Sequence, residues 1–333
     1  MAANNSKDHR GATLRDVARA AGVSVASASR ALSRGGVGPD LQSRIEAAAK
    51  RLEYRANLAA RALVSRRSGL VGVLVGSVPD SLFAETVGAL ERRLRVAGYA
   101  VLLASRESTG KSTAPMPLRD SEAIVYVGIR PMNSEIELLG REALPWVSVC
   151  DAPGAERTFL DVGRQRGGTL ATRYLLDLGH RRFGVCAAAA SETHRGVAAA
   201  LVGGVGTLII GADEGGDLGA NLAEGRSAIR ALLDLDDPPT AIVCGSDLEA
   251  LAAVRECSLR GIDVPGEISV VGFGDREFAR HARPALTTVR VSAAAIGTHA
   301  GELLLAALRG EPTSLVEVPL KLVVRETTAA ARR

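Results

Sequence analysis

Apolar residues recur three or four positions apart in three segments near the start of the chain, which is the spacing of a buried helical face. The members of the three segments are Leu14, Val17, Ala18 and Ala21; Val25, Ala28 and Leu32; and Leu41, Ile45, Ala48 and Leu52. Residues 35–40, between the second and third segments, read Gly-Gly-Val-Gly-Pro-Asp and predict a loop. The pattern therefore predicts three short helices, of which the last ends near Glu53.

The ends of the first two helices carry cap and turn signals. Thr13 stands three positions before Asp16, a capping-box spacing that predicts a helix start after Thr13. Gly22 interrupts this helix, and Ser24 is a favourable N-cap for the next one. Two helices joined by a tight turn that contains glycine form a helix-turn-helix, whose second helix enters the major groove of DNA. An ordinary helical hairpin has the same short pattern and stays open as the alternative.

The second predicted helix supplies candidate base contacts. Its outward positions are Val25, Ala26, Ser29 and Arg30, and an arginine can donate two hydrogen bonds to guanine O6 and N7. The candidate residues for contact with double-stranded DNA in this region are Thr13, Ser24, Val25, Ala26, Ser27, Ser29 and Arg30.

The distribution of charge favours the DNA-binding interpretation. The first 68 residues contain thirteen Lys and Arg against five Asp and Glu, a formal charge of +8. The other 265 residues contain 28 basic and 32 acidic side chains, a formal charge of −4. A small basic segment on a mildly acidic body suits contact with a polyanion. Scattered charge on a solvated helical surface is the bland alternative.

Beyond residue 68 the pattern changes to short apolar runs that alternate with helical stretches. Predicted strands cover residues 70–75, 100–103, 123–127, 147–150, 183–186, 207–210, 241–244, 268–271 and 321–324. Predicted helices include residues 83–97, 168–178, 247–260 and 293–309. Continuous apolar runs are typical of strands buried in parallel sheets, and this length is too great for one lobe. We expect ligands at the carboxyl ends of the strands.

Several motifs resemble the LacI/GalR family of bacterial transcriptional regulators. Residues 13–24, which read Thr-Leu-Arg-Asp-Val-Ala-Arg-Ala-Ala-Gly-Val-Ser, and residues 27–30 are similar to the family's helix-turn-helix head. Residues 54–63 resemble its hinge helix, although Ala56 stands where relatives usually carry proline. This resemblance adds Asn57, Ala60, Arg61 and Leu63 to the candidate DNA-binding residues. It implies that Leu63 is a wedge in the minor groove, while an ordinary apolar residue of an amphipathic helix is the alternative.

The resemblance continues through the body of the chain. Family-like motifs occur at residues 178–182, 264–275, 284–289 and 322–327, in the family's order. They imply a helix-turn-helix domain (1–56), a hinge helix and linker (57–68), and an α/β effector and dimerisation domain (69–333) of doubly wound parallel sheets. The last would resemble type I periplasmic binding proteins, with interwoven lobes of roughly residues 69–155 plus 285–313 and 156–284 plus 314–333.

The family resemblance also implies a small-molecule effector: a sugar, a sugar phosphate or a nucleoside-like compound. The implied effector-binding residues are Phe83, Asp151, Arg195, Ser246, Asp247 and Asp275. Each has a plain structural alternative, such as a turn cap for Asp275, a surface ion pair for Arg195 or a core position for Phe83. The pattern departs from the family at Ala198-Ala199 and at Ala220, so a ligand-independent repressor with a degenerate pocket stays open.

Other classes of protein fit the sequence less well. The chain has no apolar run near the ~18 residues of a membrane span and no secretory signal, so we expect a cytoplasmic protein. Its four separated cysteines and five histidines lack the spacing of a disulfide framework or a metal site, and no catalytic constellation or cofactor motif is complete. A solute-binding protein would lack the basic head. We expect a homodimer on a pseudo-palindromic operator, without a leucine heptad to pair dimers.

Overall fold

The computed structural model describes residues 12–33, 36–54, 68–76, 81–105, 121–150, 159–187, 191–210, 222–312 and 317–332. The chain forms two compact units, Met1–Ser68 and Gly69–Arg333. The boundary between them coincides with the predicted end of the linker.

The N-terminal unit is helical. Its described residues form α1 (Leu14–Ala21), α2 (Val25–Ser33) and α3 (Pro39–Arg51), as the sequence predicts. Their apolar faces meet in a small core, in which Val17, Ala28 and Ile45 are completely buried. Gly22 ends α1 in the left-handed conformation, with φ at 62°, which glycine adopts without strain.

The larger unit contains two sheets, and the first has five parallel strands in the order β2-β1-β3-β4-β5. These strands are β1 (Leu70–Val75), β2 (Ala100–Ser105), β3 (Ala123–Val127), β4 (Trp146–Cys150) and β5 (Phe159–Asp161). The helices that connect the strands of this sheet are α4 (Ser81–Val96) and α5 (Asn133–Arg141).

The second sheet has six strands in the order β11-β10-β9-β8-β6-β7, of which only β11 is antiparallel to its neighbour. The strands are β6 (Arg182–Cys186), β7 (Thr207–Ile210), β8 (Ala241–Cys244), β9 (Ser269–Gly274), β10 (Thr287–Val291) and β11 (Leu320–Val323). The associated helices are α6 (Arg164–Asp177), α7 (Glu192–Ala200), α8 (Leu222–Leu233) and α9 (Asp247–Leu259).

A further helix, α10 (Ala293–Leu308), returns from the second sheet to pack on α4 beside the first sheet. The two helices approach closely at Gly297, where a Cβ atom would lie 2.2 Å from the carbonyl oxygen of Thr86. The chain therefore passes between the lobes after β5, after β10 and again before β11.

These crossings correct the predicted lobe boundaries. Residues 159–161 were expected in the second lobe, but as β5 they pair with β4 of the first sheet. Residues 287–291 were expected in the first lobe, but as β10 they pair with β9 and β11 of the second sheet. In both cases the strand keeps its backbone hydrogen bonds to its own sheet along its whole length. The chain therefore makes these two crossings to the other lobe only after β5 and after β10. Ser292 then caps the start of α10 with a hydrogen bond from the amide of Ala295.

Candidate DNA-binding surface and ligand cleft

Helix α2 exposes the side chains that the sequence predicts for base contact. Ser24, Val25, Ala26, Ser29 and Arg30 are exposed, and Ser27 is half-buried. Val25 is 44% exposed although it is apolar. An exposed apolar group and an exposed arginine on one helix suit base edges in the major groove, because the thymine methyl and the guanine acceptors are both accessible there.

Two side chains of α3 brace the other helices of this unit. Nη2 of Arg44 donates a hydrogen bond of 2.7 Å to the carbonyl oxygen of Ala21, at the end of α1. Nε2 of Gln42 donates one of 3.0 Å to the carbonyl oxygen of Ala31, in the last turns of α2. Because these carbonyl groups belong to helix ends, the contacts fix α1 and α2 against α3.

The predicted caps are formed. The Oγ1 atom of Thr13 donates a 2.6 Å hydrogen bond to Asp16, and the amide of Asp16 donates one of 3.3 Å to the same oxygen. Hydrogen bonds from Thr13 are the largest cause that lowers the pKa of Asp16. Oγ of Ser24 accepts a 3.1 Å hydrogen bond from the amide of Ser27. Thr13 and Ser24 therefore hold the helix starts, whatever they contact on DNA.

Five candidate residues lie outside the described parts of the chain. They are Asn57, Ala60, Arg61 and Leu63 of the expected hinge and Asp151 of the expected effector site. Their proposed roles stay predictions.

The strand orders place a crevice at the carboxyl edge of each sheet. The direction of winding reverses between β1 and β3 in the first sheet and between β6 and β8 in the second. Ligands of open α/β sheets bind at such reversal points, because the loops that follow the two strands diverge there. Phe83, on the first turn of α4, is half-buried over Gly128 at the end of β3, where a Cβ atom would lie 2.7 Å from its ring.

One ion pair joins the carboxyl edges of the two sheets. Nη1 of Arg276, after β9, lies 3.1 Å from Oε1 of Glu85 on α4. The side chain of Arg276 is 8% exposed and that of Glu85 is 61% exposed. The contact joins the two carboxyl edges where the strand orders predict a ligand, and this candidate effector site is called the ligand cleft below. Sequence reasoning missed both residues.

Ser246 and Asp247 begin helix α9 at the edge of the second sheet. The side chain of Ser246 accepts a 3.2 Å hydrogen bond from the amide of Glu249 and caps the helix. Asp247 is completely buried and accepts a 2.6 Å hydrogen bond from the amide of Arg276 and one of 2.5 Å from Thr288. Burial is the largest cause that raises the pKa of Asp247, against the effect of these bonds. Asp247 therefore ties α9 to the segments around β9 and β10.

Asp275 is held between two arginines. Its Oδ2 accepts a hydrogen bond from Arg290 and its Oδ1 one from Arg325, both at 2.5 Å. Burial acts to raise the pKa of Asp275, but the hydrogen bonds from Arg325 and Arg290 reverse this, and the pKa is lowered. Its backbone has a φ of 54°, in the left-handed region that is uncommon outside glycine. A ligand at Asp275 would have to compete with both arginines.

Arg195 lies in the first turn of α7 and pairs with Glu192 in the same helix. Glu192 is almost completely buried, whereas the side chain of Arg195 is 47% exposed. The hydrogen bond to Glu192 is the main reason that the pKa of Arg195 is raised. Arg195 is thus placed beside the crevice at the end of β6, but with a carboxylate already bound.

Glu249 is a buried carboxyl group near Arg164 and was not among the residues predicted from the sequence. Burial raises the pKa of Glu249 to about 8, against the opposing effect of Arg164. Nη1 of Arg164 donates a 3.2 Å hydrogen bond to the carbonyl oxygen of Gly245, and its guanidinium lies 5.6 Å from the ring centroid of Phe273. The Ser-x-x-Glu spacing of Ser246 and Glu249, a capping-box pattern, was the available signal for Glu249.

Among the described residues, no group of three or more His, Cys, Asp or Glu side chains is arranged to hold a metal ion. No described helix combines the length and apolar character that a membrane span requires.

Family models match two parts of the chain. Residues 13–57 match the model of bacterial regulatory proteins of the lacI family, and residues 172–328 match a periplasmic binding protein-like domain. The chain is 31% identical over 316 residues to the HTH-type transcriptional regulator GalR of Escherichia coli K12, with 90% of both chains covered. It is 31% identical to the HTH-type transcriptional repressor PurR of Yersinia enterocolitica, with 96% of this chain and 97% of the relative covered.

Solved structures share the fold. The lac repressor dimer bound to operator and the anti-inducer ONPF matches with a TM-score of 0.81 at 24% identity, over 96% of this chain and 100% of that one. The complex of the transcriptional regulator CelR with cellobiose matches with a TM-score of 0.66 at 24% identity, over 95% and 99%.

Proposed function

The chain belongs to the lacI family of bacterial regulatory proteins and is a DNA-binding transcriptional regulator, and we propose that it is a cytoplasmic, homodimeric repressor controlled by a small-molecule effector. It is not an enzyme in this proposal. The operator would be pseudo-palindromic, because two identical heads related by a two-fold axis read two similar half-sites.

The exposed side chains of α2 carry the proposal. Val25, Ala26, Ser29 and Arg30 face solvent on a helix that α3 braces, in a unit of strongly positive charge. Arg30 would donate to guanine, and the small neighbouring side chains would allow α2 to lie deep in the major groove. The expected hinge residues Asn57, Ala60, Arg61 and Leu63 would contact the centre of the operator.

Exposed apolar surfaces on the larger unit support the dimer. Leu102 and Leu103 on β2, an edge strand, are 41% and 56% exposed. A shallow groove on α8 and α9 is lined by Arg226, Leu251, Ala252, Arg255 and Leu259, with Leu259 53% exposed. Exposed apolar side chains of this kind are typical of interaction sites, and a second copy of the chain would cover some of them.

The effector would bind in the ligand cleft. Phe83 offers a ring to pack on a sugar or a base, and Ser246 and Arg195 lie where strands β8 and β6 end. Asp275 and Asp247 would act on the ligand through the residues that they hold, because their oxygens already accept hydrogen bonds. The cellobiose in the CelR complex supports a sugar, and the family resemblance of the sequence extends the proposal to a sugar phosphate or a nucleoside-like molecule.

A ligand-independent repressor is the second candidate. The internal pairs of Asp275 with Arg290 and Arg325, and of Arg195 with Glu192, favour it, because they satisfy groups that a ligand would otherwise bind. The departures at Ala198 and Ala199 point the same way.

Footprinting of the purified protein on DNA upstream of its own gene and the neighbouring genes tests the regulator function. We expect a symmetric protected site with one protein dimer bound. Non-specific protection at every concentration, or a light-scattering mass near four chains, would contradict the proposal. A metabolite screen by thermal shift then separates the two candidates, since only the effector-controlled repressor gains stability on binding a ligand.

A further inference from the structure

Arg276 is a buried cation with unused hydrogen-bonding capacity in the ligand cleft. Its side chain is 8% exposed, and its Nε and Nη1 atoms make no hydrogen bond to any described residue. Nη2 alone is satisfied, by a 2.8 Å hydrogen bond to the carbonyl oxygen of Gly274. Buried guanidinium groups are normally hydrogen-bonded, so an unsatisfied one indicates a missing acceptor.

The neighbouring carboxylates do not supply this acceptor. Asp247 binds the backbone amide of Arg276 and the hydroxyl of Thr288, so its two oxygens are used elsewhere. Asp275 is turned toward Arg290 and Arg325. Glu85 comes within 3.1 Å of Nη1, but the N–H groups of Nη1 do not point at it, so this contact is an ion pair without a hydrogen bond.

The two partners of this ion pair differ in their other contacts and in exposure. The backbone around Arg276 is fixed, because its amide is bound to buried Asp247 and its guanidinium folds back on Gly274. Gly274 makes room for this fold: its φ is 125°, and a Cβ atom there would lie 3.2 Å from Nε. Glu85, in contrast, is 61% exposed on the surface of α4. A solvent-exposed partner of an ion pair contributes little free energy and is readily displaced.

We propose that Arg276 recognises the acidic group of a small-molecule oxyanion, a phosphate monoester or a carboxylate, and that Glu85 is the internal group that this oxyanion displaces. The inference rests on the proposed effector cleft and specifies the class of effector. An oxyanion accepts charge-assisted hydrogen bonds from Nη1 that Glu85 does not accept, and these are stronger than bonds between neutral groups. Neutral sugars lack such a group, so the acidic group would select among metabolites of similar size.

The first test is calorimetric titration of the DNA-free full-length protein with inorganic phosphate and, separately, with malonate, at constant ionic strength set by chloride. We expect both probes to bind weakly. Glu85→Gln removes the internal competitor and should tighten the binding of both probes by about two- to five-fold, the range of an exposed ion pair. Arg276→Gln should weaken it by at least about ten-fold, whereas Arg276→Lys should keep part of the affinity.

Glu277→Gln is the matched control. Glu277 carries the same charge as Glu85 and directly follows Arg276 in the chain, but it pairs with Arg280. It should leave both affinities unchanged. Equal tightening by Glu277→Gln and Glu85→Gln, or unchanged binding by a folded Arg276→Gln protein, would overturn the proposal. If Arg276→Gln weakens the binding of only phosphate or only malonate, the probe that is affected identifies the acidic group.

Gel shifts with the footprinted operator, run on the same proteins, separate this inference from the proposed function. Specific complexes together with oxyanion binding that ignores Arg276 would refute the inference alone and favour the ligand-independent repressor. If the wild-type protein forms no specific complex with DNA, the proposed function is refuted instead. Because Glu85 is on the surface, Glu85→Gln is expected to fold and gives a result even if Arg276→Gln does not.

Discussion

The N-terminal unit and the ligand cleft use their charged side chains in opposite ways. In the N-terminal unit, Arg44 turns inward to hold a helix end, as the uncharged Gln42 also does, and Arg30 on α2 is exposed. In the cleft, Asp275 and Arg195 are already bound to other side chains of the protein.

The exposed side chains of α2 are available to DNA, whereas the charged groups of the cleft are already paired with other groups of the protein. Among the described residues no side chain pairs with Arg30, so DNA bound to α2 would displace water there, and the new hydrogen bonds would add directly to affinity. A ligand that bound Asp275 or Arg195 would have to replace existing ion pairs, and only the difference between old and new contacts would stabilise the complex. We therefore expect substitutions in α2 to change DNA affinity strongly, and substitutions in the cleft to act on stability and ligand response.

The largest effect is expected from Ile45→Ala. Ile45 is completely buried in the small core of the N-terminal unit, and such a truncation costs about 2–5 kcal/mol. A unit of this size has little stability to lose, so we expect it to unfold and specific DNA binding to disappear. Calorimetric melting should show the transition of the larger unit unchanged.

Ile296→Ala is the converse control, because Ile296 is completely buried in α10 of the larger unit. It should lower the melting temperature of the larger unit and leave the N-terminal helices folded. If Ile45→Ala lowers the melting temperatures of both units equally, the two units do not fold independently. Effects on DNA binding could then not be separated from effects on the larger unit.

Glu249→Gln should change the pH dependence of stability in the larger unit. The folded pKa of about 8 lies above the ordinary value of 4.5, so the folded state holds this proton more tightly than the unfolded state. Stability is therefore lost as the pH rises from about 4.5 to 8, at up to about 1.4 kcal/mol per pH unit. Glutamine cannot ionise, and the variant should lose this slope in urea denaturation at several pH values.

Glu256→Gln provides the control on the same helix. Glu256 is also nearly buried, but hydrogen bonding to Arg230 is the main cause that lowers its pKa, so its contribution has the opposite sign and lies at acid pH. We expect the slope between pH 5 and 8 to survive in this variant. An identical slope in the wild type and Glu249→Gln would show that Glu249 is ionised in the folded protein throughout this range.

Arg30→Ala tests the exposed surface directly. Loss of a bidentate contact to guanine costs about 1–3 kcal/mol and relaxes the preference at one base position of each half-site. Gel shifts against operators with single base changes measure both effects. A uniform loss on all sequences, with a smaller dependence on salt, would assign Arg30 to a phosphate instead.

The sequence predicts the features that depend on near neighbours. The three helices of the N-terminal unit, the caps at Thr13 and Ser24, and strand β1 follow from local periodicity and cap residues. Strand β5 was missed because three residues give no alternation, and β10 because its burial depends on strands on both sides. The predicted positions of the lobe crossings were wrong because β5 and β10 were not recognised as strands.

The internal pairing of the cleft could not be predicted. Asp275 meets Arg325 across 50 positions of sequence, and only the placement of β9, β10 and the C-terminal segment brings them together. Glu85 and Arg276 lie on different lobes, so their contact depends on both sheets. Residue identity indicated that Asp275 and Arg195 carry charge, but their partners decide whether that charge is available to a ligand.

Thr13→Ala has the smallest expected effect and tests whether the cap is the main role of Thr13. Loss of the N-cap should destabilise the N-terminal unit by about 1 kcal/mol, while Thr13→Ser, which keeps the hydroxyl, should retain most of it. The cap also adds a pH dependence, because the lowered pKa of Asp16 means that its stabilising effect is present above the ordinary pKa and is lost as the pH falls through the folded value. In Thr13→Ala the melting temperature of this unit should therefore depend less on pH between about 5 and 3. If Thr13→Ala keeps the acid dependence of the wild type but loses operator affinity, the hydroxyl acts on DNA rather than on α1.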